Sequence, residues 1–302
     1  MRTTEWSGVL PAITTPFADD LSIDVPFLRR HAAWLVEAGC TGIVTPGSLG
    51  EGATLSEEEK ALLWRTCVES AGDRAPVVAA IAAASTSEAV RLARAAERAG
   101  CRGLMVLPPY VYRGSWRETR AHFAAIFEST PLSCMLYNNP IAYGTDVLPE
   151  AIADLAASHG NLHAVKESSG DVRRITAIRS LAGDRLSVLV GLDDLLVEGV
   201  AAGASGWVAG LVNALPEESV RLFELARGGD DRRAAELYRW FLPLLRMDTV
   251  PEFVHLIKLV QQEVGMGSER TRPPRLPLSG EARTTALATI RRALAARPTT
   301  VA

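Results

Sequence analysis

The sequence predicts an α/β fold, a (β/α)8 TIM barrel with a C-terminal helical appendage. Eight short apolar stretches alternate with eight stretches in which apolar residues have helical spacing. Residues 37–47, 98–109 and 201–210 share one joint, in which a glycine ends a helix and an apolar strand follows. Eight such units close a barrel, whereas an open doubly wound sheet more often has five or six strands. The length of 302 residues suits a single barrel domain.

The elements follow in order along the chain. Apolar runs predict strands at 9–15, 42–46, 77–82, 103–107, 132–137, 162–166, 186–190 and 206–210. Helical spacing predicts helices at 25–38, 56–71, 87–99, 116–129, 148–157, 171–182, 193–202 and 216–227. The first helix follows a capping Asp24 and has a proline in its first turn, and Ser56 with Glu59 form a capping box for the second.

The alternation of strands and helices stops near residue 230. Three amphipathic stretches follow, at 230–247, 250–265 and 280–296, with a turn-rich loop at 267–280. The sequence between the last strand and these helices contains no low-complexity linker. We therefore predict a barrel over residues 1–228 and a helical region packed on it over residues 229–302.

The overall composition indicates an enzyme of small-molecule metabolism. A net charge of -3 and a pI near 6.0 give no reason to expect nucleic acid or an anionic membrane as a partner. The N-terminus has no signal-peptide pattern and no long apolar run occurs, so we expect a cytoplasmic protein. The four single cysteines suit reduced core thiols better than a catalytic cysteine, and the five histidines form no metal motif.

A lysine at the end of a strand is the main candidate for chemistry. Only three of the 32 basic residues are lysines, and Lys166 ends the apolar stretch that forms the sixth strand. In a barrel the active site lies at the C-terminal ends of the strands, and Lys166 is the only lysine predicted there. Burial disfavours the charged ammonium, which frees the amine to attack a carbonyl. The alternative is a structural lysine paired with Glu167 or another carboxylate.

Two further segments at the same rim support a catalytic lysine. In "PGSLGEG" at 46–52, the glycines beside Ser48 allow backbone N–H groups and the hydroxyl to bind the carboxylate of a 2-oxo acid. Tyr137, at the end of the fifth strand, places a phenol where it can move protons at an imine carbon. The alternatives are a tight turn for the first segment and a core aromatic residue for the second.

Together these segments resemble the dihydrodipicolinate synthase / N-acetylneuraminate lyase superfamily of Schiff-base lyases. "GSLGEGATLSEEEK" is similar to its carboxylate-binding loop, "YNNP" to its tyrosine motif and "VKESSGD" to its lysine motif, and the likeness runs from about residue 6 to 295. The resemblance implies that Lys166 forms the Schiff base and Tyr137 is the acid/base. It also implies substrate-binding positions, namely Gly47, Ser48, Leu49, Val111, Ala142, Gly191 and Val208.

The resemblance further implies that no metal or organic cofactor is needed, because the protonated imine is the electron sink. It implies a small-molecule carboxylate substrate and a homotetramer built as a dimer of dimers. In that arrangement the loop around Tyr110 reaches a neighbouring site.

Three positions depart from the pattern of dihydrodipicolinate synthases. A second threonine is expected at Leu49, a relay tyrosine at Val111 and a carboxylate-binding arginine at Ala142, and all three are absent. Tyr110 and Tyr112 flank Val111, so either could replace the relay tyrosine. An apolar residue cannot transfer a proton or pair with a carboxylate, so we expect a different substrate from that of dihydrodipicolinate synthase.

The remaining segments are most similar to the Δ1-pyrroline-4-hydroxy-2-carboxylate deaminases of this superfamily, which act by dehydration and deamination to 2-oxoglutarate semialdehyde. The alternatives are a 2-keto-3-deoxy sugar acid dehydratase and, after it, a pyruvate-dependent aldolase or dihydrodipicolinate synthase-like lyase. A barrel that binds a metabolite without catalysis is the weakest reading, because Lys166 and Tyr137 are retained.

Overall fold

Eight short parallel strands form the centre of the fold in the computed structural model, which describes residues 1–298. The strands are β1 (Gly8–Pro11), β2 (Ile43–Thr45), β3 (Val77–Ile81), β4 (Gly103–Val106), β5 (Ser133–Asn138), β6 (Leu162–Glu167), β7 (Ser187–Val190) and β8 (Gly206–Ala209). Almost all of their residues are buried, as expected for parallel strands that helices cover. Residues 299–302 of the predicted C-terminal region lie outside the described residues.

The strands are arranged in the order β1-β8-β7-β6-β5-β4-β3-β2, and each pair is parallel. Leu10 of β1 is paired with Val208 of β8, and a parallel bridge between Ala12 and Val44 joins β1 to β2. This bridge closes the sheet on itself. The predicted (β/α)8 TIM barrel with C-terminal helices is therefore confirmed.

Twelve helices accompany the strands in residues 1–298. They are α1 (Val25–Glu37), α2 (Glu57–Ala71), α3 (Thr86–Arg98), α4 (Trp116–Glu128), α5 (Pro140–Tyr143), α6 (Pro149–Ser158), α7 (Arg173–Ala182), α8 (Leu196–Ala201), α9 (Pro216–Gly228), α10 (Asp231–Leu245), α11 (Phe253–Glu263) and α12 (Gly280–Ala295). The predicted Asp24 cap and the Ser56–Glu59 capping box are both formed. No helix in residues 1–298 is long and apolar enough to cross a membrane.

The structure differs from the predicted elements in two informative places. The first strand ends at Pro11 rather than at residue 15, because the Thr14 and Thr15 hydroxyls bond to Gln261 and to the Gly50 carbonyl. The short helix α5 was not predicted. It forms because the Asn139 side chain accepts a hydrogen bond from the Ala142 N–H and Pro140 occupies the first turn.

The three lysines are all buried, with 9% of Lys60, 6% of Lys166 and 2% of Lys258 exposed. The chain therefore uses arginine for nearly all surface cations and lysine only inside. Lys258 belongs to α11, and its Nζ donates to Glu51 Oε1 at 2.6 Å. This bond joins the C-terminal helices to the barrel loop that follows β2.

Candidate active site

Lys166 and Tyr137 lie side by side on adjacent strands. They are paired in the register of β6 and β5, and the Lys166 Nζ is 4.3 Å from the centre of the Tyr137 ring. Burial lowers the pKa of Lys166, and the negative charges of Asp248 and Asp193 oppose this only in part. The arrangement favours a neutral amine that can act as a nucleophile.

The alternative of a Lys166–Glu167 ion pair does not fit the geometry. Successive residues of a strand point to opposite faces, so the two side chains diverge. The Glu167 carboxylate instead accepts hydrogen bonds from Asn138 Nδ2 at 3.0 Å and from the Ser169 N–H at 2.6 Å. Glu167 therefore organises the outer side of the barrel.

Two buried carboxyl groups, Asp193 after β7 and Asp248 after α10, influence the charge of Lys166. Asp193 accepts hydrogen bonds from Trp207 Nε1 at 2.9 Å and from the Leu211 N–H at 2.7 Å, and burial raises its pKa to about 6. Asp248 packs against Gly210, and burial together with Asp193 raises its pKa well above the usual range. Asp248 was not a predicted site residue, because it lies in the C-terminal region, far along the chain from Lys166.

Gly191 leaves the space that Lys166 occupies. A Cβ atom at this position would lie 1.9 Å from Ser168 Oγ and 2.8 Å from Lys166 Cε. The glycine therefore permits a close approach of β7 to the lysine side chain. Gly191 was a predicted substrate-binding position, and the structure places it directly at Lys166.

Tyr143 links the loop after β2 to Tyr137. Its hydroxyl is hydrogen-bonded to Ser48 Oγ, and its ring centre is 5.7 Å from that of Tyr137 at an interplanar angle of 81°. Asn139 Nδ2 donates to the Tyr137 hydroxyl at 3.0 Å. Burial raises the pKa of both phenols. No role was predicted for Tyr143. The pair Asn139-Pro140, which is typical of a helix start, is the feature of the sequence that indicates the turn carrying it.

A cavity of about 280 Å³ opens at the barrel mouth. Three predicted site residues, Gly47, Ser48 and Ala142, line it together with Tyr143. The cavity wall also contains two basic residues, Lys60 and Arg275. The prediction that Lys166 is the only lysine at the barrel mouth was wrong, because α2 places Lys60 there as well.

Six of the nine predicted site residues, including Lys166, Tyr137 and Gly191, are not part of this cavity wall. Leu49 is buried in the core, Val208 is buried within β8, and Val111 is 74% exposed on the loop after β4. The Tyr112 hydroxyl donates to Glu118 Oε1 at 3.2 Å, so it is directed away from Tyr137. Tyr110 lines the cavity and is 37% exposed.

Glu51 belongs to the cavity wall, whereas Asn213 is fully buried. Glu51 has a left-handed backbone with φ of 55°, and its buried carboxylate accepts from Lys258 and from the Arg272 N–H at 3.0 Å. Asn213 Nδ2 donates to the Ala12 and Gly210 carbonyls at 2.8 Å each. Both residues therefore fix loops at the carboxyl ends of the strands.

Comparison with known proteins gives one consistent result. The model of the dihydrodipicolinate synthetase family matches residues 5–293. A 4-hydroxy-tetrahydrodipicolinate synthase of Desulforudis audaxviator is 36% identical over 282 residues, which cover 91% of this chain and 92% of that protein. The structure of the corresponding synthase of Methylacidiphilum fumariolicum SolV has a TM-score of 0.90 at 30% identity, covering 96% of this chain and 97% of the other.

A third similarity concerns a ligand-bound relative. The crystal structure of a chloride-inhibited dihydrodipicolinate synthase from Acinetobacter baumannii, complexed with pyruvate, has a TM-score of 0.90 at 28% identity. The match covers 95% of this chain and 98% of that one.

Proposed function

Because the chain belongs to the dihydrodipicolinate synthetase family of pyruvate-dependent Schiff-base lyases, we propose that Lys166 forms the imine and Tyr137 moves its protons. The observation that carries this proposal is the buried Lys166 amine, 4.3 Å from the centre of the Tyr137 ring. Ser48 and the amides beside it would bind the substrate carboxylate at the cavity wall. Gly47 would shape the pocket and Gly191 would leave room for Lys166, whereas Leu49, Val111 and Val208 remain proposed positions that do not line the cavity.

The substrate that we propose is Δ1-pyrroline-4-hydroxy-2-carboxylate. Lys166 attacks the C=N carbon, the ring nitrogen leaves as an amine, and the protonated imine then accepts the electrons released when a C3 proton is removed. The C4 hydroxyl departs as water and leaves a C3=C4 double bond. Protons then move from C5 and its nitrogen to C3 and C4, which turns the C5 amine into an imine, and hydrolysis of that imine at C5 releases ammonia. Hydrolysis of the lysine imine gives 2-oxoglutarate semialdehyde. Ala142 at the cavity wall supports this choice, because a substrate with one carboxylate needs no arginine there.

A second candidate is a pyruvate-dependent aldolase similar to the synthases named above. Such a reaction joins pyruvate to an aldehyde that carries its own carboxylate. Arg275 and Lys60 favour this candidate, because both basic side chains line the cavity that contains Ala142. They could bind a second carboxylate in place of the missing arginine.

Trapping of the imine tests the function. Sodium borohydride added with pyruvate should reduce the imine to a stable amine, and peptide mapping should locate the mass gain at Lys166. Lys166→Arg, which has a long basic side chain but no primary amine, should show no adduct. Lys60→Arg is the matched control for the other lysine at the mouth and should keep the adduct. No adduct in the unchanged protein, with pyruvate or with the pyrroline substrate, would contradict the proposal.

Product analysis separates the two candidates from each other and from a dehydratase. Release of ammonia from the pyrroline substrate supports the deaminase, and loss of water without ammonia from a 2-keto-3-deoxy acid supports a dehydratase. Consumption of pyruvate only in the presence of a carboxylated aldehyde supports the aldolase.

We also propose the homotetramer. Three neighbouring side chains of the loop after β4, Tyr110, Val111 and Tyr112, are between 37% and 74% exposed. A neighbouring subunit that covers this loop would remove an apolar surface from water.

A further inference from the structure

We infer that Tyr143 is a positioning residue that relays protons between Tyr137 and the cavity, so that the proton path of the lysine imine lies within one chain. The inference rests on the proposed function, since it assigns a route to the protons that imine chemistry at Lys166 requires. It names a residue to which neither the motifs nor the resemblance gave a role.

Tyr143 lies between Ser48 and Tyr137. Its phenol contacts Ser48 on one side and the Tyr137 ring on the other. It also belongs to the cavity wall, together with Ser48. Tyr137 itself is only 6% exposed. Tyr143 therefore connects a buried phenol to a space that water can enter.

The Asn139 side chain fixes the position of Tyr143 relative to Tyr137. The helix α5 consists of only one turn, and Asn139 caps it through the Ala142 N–H at 3.0 Å. The same Asn139 side chain donates through its Nδ2 to the Tyr137 hydroxyl. One asparagine thus orients the phenol of Tyr137 and holds the turn that carries Tyr143.

The residues of the loop after β4 are less suited to relay protons to Tyr137 than Tyr143 is. Tyr112 is 60% exposed and bonded to Glu118, and Val111 has no proton to give. Tyr110 lines the cavity but forms no hydrogen bond with Ser48 or Tyr137 in residues 1–298. Tyr143 is the tyrosine that contacts both Ser48 and Tyr137 within residues 1–298. A relay from the chain's own α5 thus occupies the position for which the resemblance implied a neighbouring subunit.

The proton balance of the step is simple. The Lys166 nitrogen forms a bond to the carbonyl carbon, and one N–H proton moves to the carbonyl oxygen to give a carbinolamine. The C–O bond then breaks, and the oxygen takes a second proton from Tyr137 and leaves as water. Tyr137 regains a proton from Tyr143, Tyr143 from Ser48, and Ser48 from the solvent in the cavity. Each hydroxyl gives and receives one proton, so the net change is one proton moved from solvent to the leaving water.

The test is Tyr143→Phe, which keeps the ring against Tyr137 and removes only the hydroxyl. We expect the rate of imine formation with pyruvate, followed by borohydride quenching over time, to fall about 100-fold, the contribution typical of a positioned acid/base group. The apparent affinity for pyruvate should change much less, and a small acid such as imidazolium should restore part of the rate. A merely structural loss would not be rescued in this way.

Tyr112→Phe is the matched control and should keep the unchanged protein's rate. An unchanged rate in Tyr143→Phe, with normal trapping at Lys166 in the unchanged protein, would overturn this inference and leave the proposed function intact. A rate loss in Tyr143→Phe without rescue by imidazolium would also overturn it. Absence of trapping in the unchanged protein would instead remove the proposed function and this inference with it.

Discussion

Gly191 controls how closely the lysine side chain and β7 approach each other. The Lys166 Cε and Cγ atoms both lie within 3 Å of the position that a Cβ on residue 191 would take. A side chain in a well-packed interior cannot yield without moving its neighbours. The position of the Lys166 amine relative to Tyr137 therefore depends on an absent methyl group.

Gly191→Ala should displace Lys166 and lower imine formation with pyruvate at least about tenfold, since small misplacements of reacting groups are costly. The free energy of unfolding should fall by about 1 to 3 kcal/mol because of overpacking. Borohydride trapping and urea denaturation measure the two effects. Gly228→Ala is the control, because nothing outside its own helix lies within 4 Å of the added Cβ. It should leave trapping unchanged and should not lower the free energy of unfolding, since alanine is a better helix former than glycine. Equal trapping in both variants would contradict the role of Gly191.

The site residues that could be predicted are those at the end of an apolar strand or in a glycine-containing loop. Lys166 and Tyr137 end apolar strands, and the end of a barrel strand fixes where a side chain lies. Tyr143 and Asp248 could not be found in this way, because a one-turn helix and a distant C-terminal loop place them. Their positions depend on tertiary contacts that have no period in the sequence.

The loop after β2 is fixed by an ion pair that reaches it from α11. Glu51 and Lys258 are both buried, and Lys258 Nζ also lies 4.5 Å from the centre of the Phe17 ring. Burial lowers the pKa of Lys258 to about 8, and Glu51 opposes this in part. The pair holds the left-handed turn at Glu51, which is three residues from Ser48.

Lys258→Met should leave the Glu51 carboxylate buried without its main partner, which costs about 3 to 5 kcal/mol of folding free energy. Arg91→Met removes an exposed pair with Glu57, whose atoms are 3.1 Å apart, and should cost at most about 1 kcal/mol. Urea denaturation of the two variants measures the difference. Similar costs in both would show that Glu51 does not depend on Lys258.

Elements were predicted best where local signals and packing agree. The capped helices α1 and α2 begin at the predicted residues to within one position. The prediction for the end of β1 was wrong, because Ile13 to Thr15 are as apolar or β-branched as a strand, but the Thr14 hydroxyl donates to Gln261 of α11 and the Thr15 hydroxyl donates to the Gly50 carbonyl. The end of this strand is determined by hydrogen bonds to residues far along the chain, and a local sequence pattern does not include those residues.

At the scale of the whole molecule, the C-terminal helices are part of the structure that holds the site. Trp240 Nε1 of α10 donates to the Ala293 carbonyl of α12 at 2.9 Å, and Lys258 of α11 pairs with Glu51. The division at residue 228 remains our proposal for the end of the barrel, since α9 is the last helix to follow a barrel strand. Asp248, beyond this division, still influences Lys166.

His31 lies where the barrel and the C-terminal region meet. It belongs to α1, its Nε2 is 2.9 Å from the Asn213 carbonyl oxygen, and Gln261 of α11 is next to it. Burial lowers the pKa of His31 from 6.5 to about 4, with the Asn213 carbonyl opposing this in part. The folded protein therefore holds this imidazole neutral at a pH at which the unfolded chain protonates it.

The sign of the resulting pH dependence follows from proton linkage. Between pH 6.5 and 4 the unfolded state binds more protons at this position, so folding stability falls as the pH is lowered through this range. From pH 7 to pH 5 this titration should remove about 2 kcal/mol from the free energy of unfolding. His31→Gln has no titrating group at residue 31, and its stability should decrease by that much less over the same interval. Urea denaturation of both proteins at pH 7 and pH 5 measures how much the free energy of unfolding changes in each. The other histidines and the buried carboxyl groups contribute equally to both changes, so subtracting one change from the other leaves the contribution of His31. An identical pH dependence in the two proteins would mean that His31 is protonated in the folded state, and that the junction of α1 with α11 is open to water.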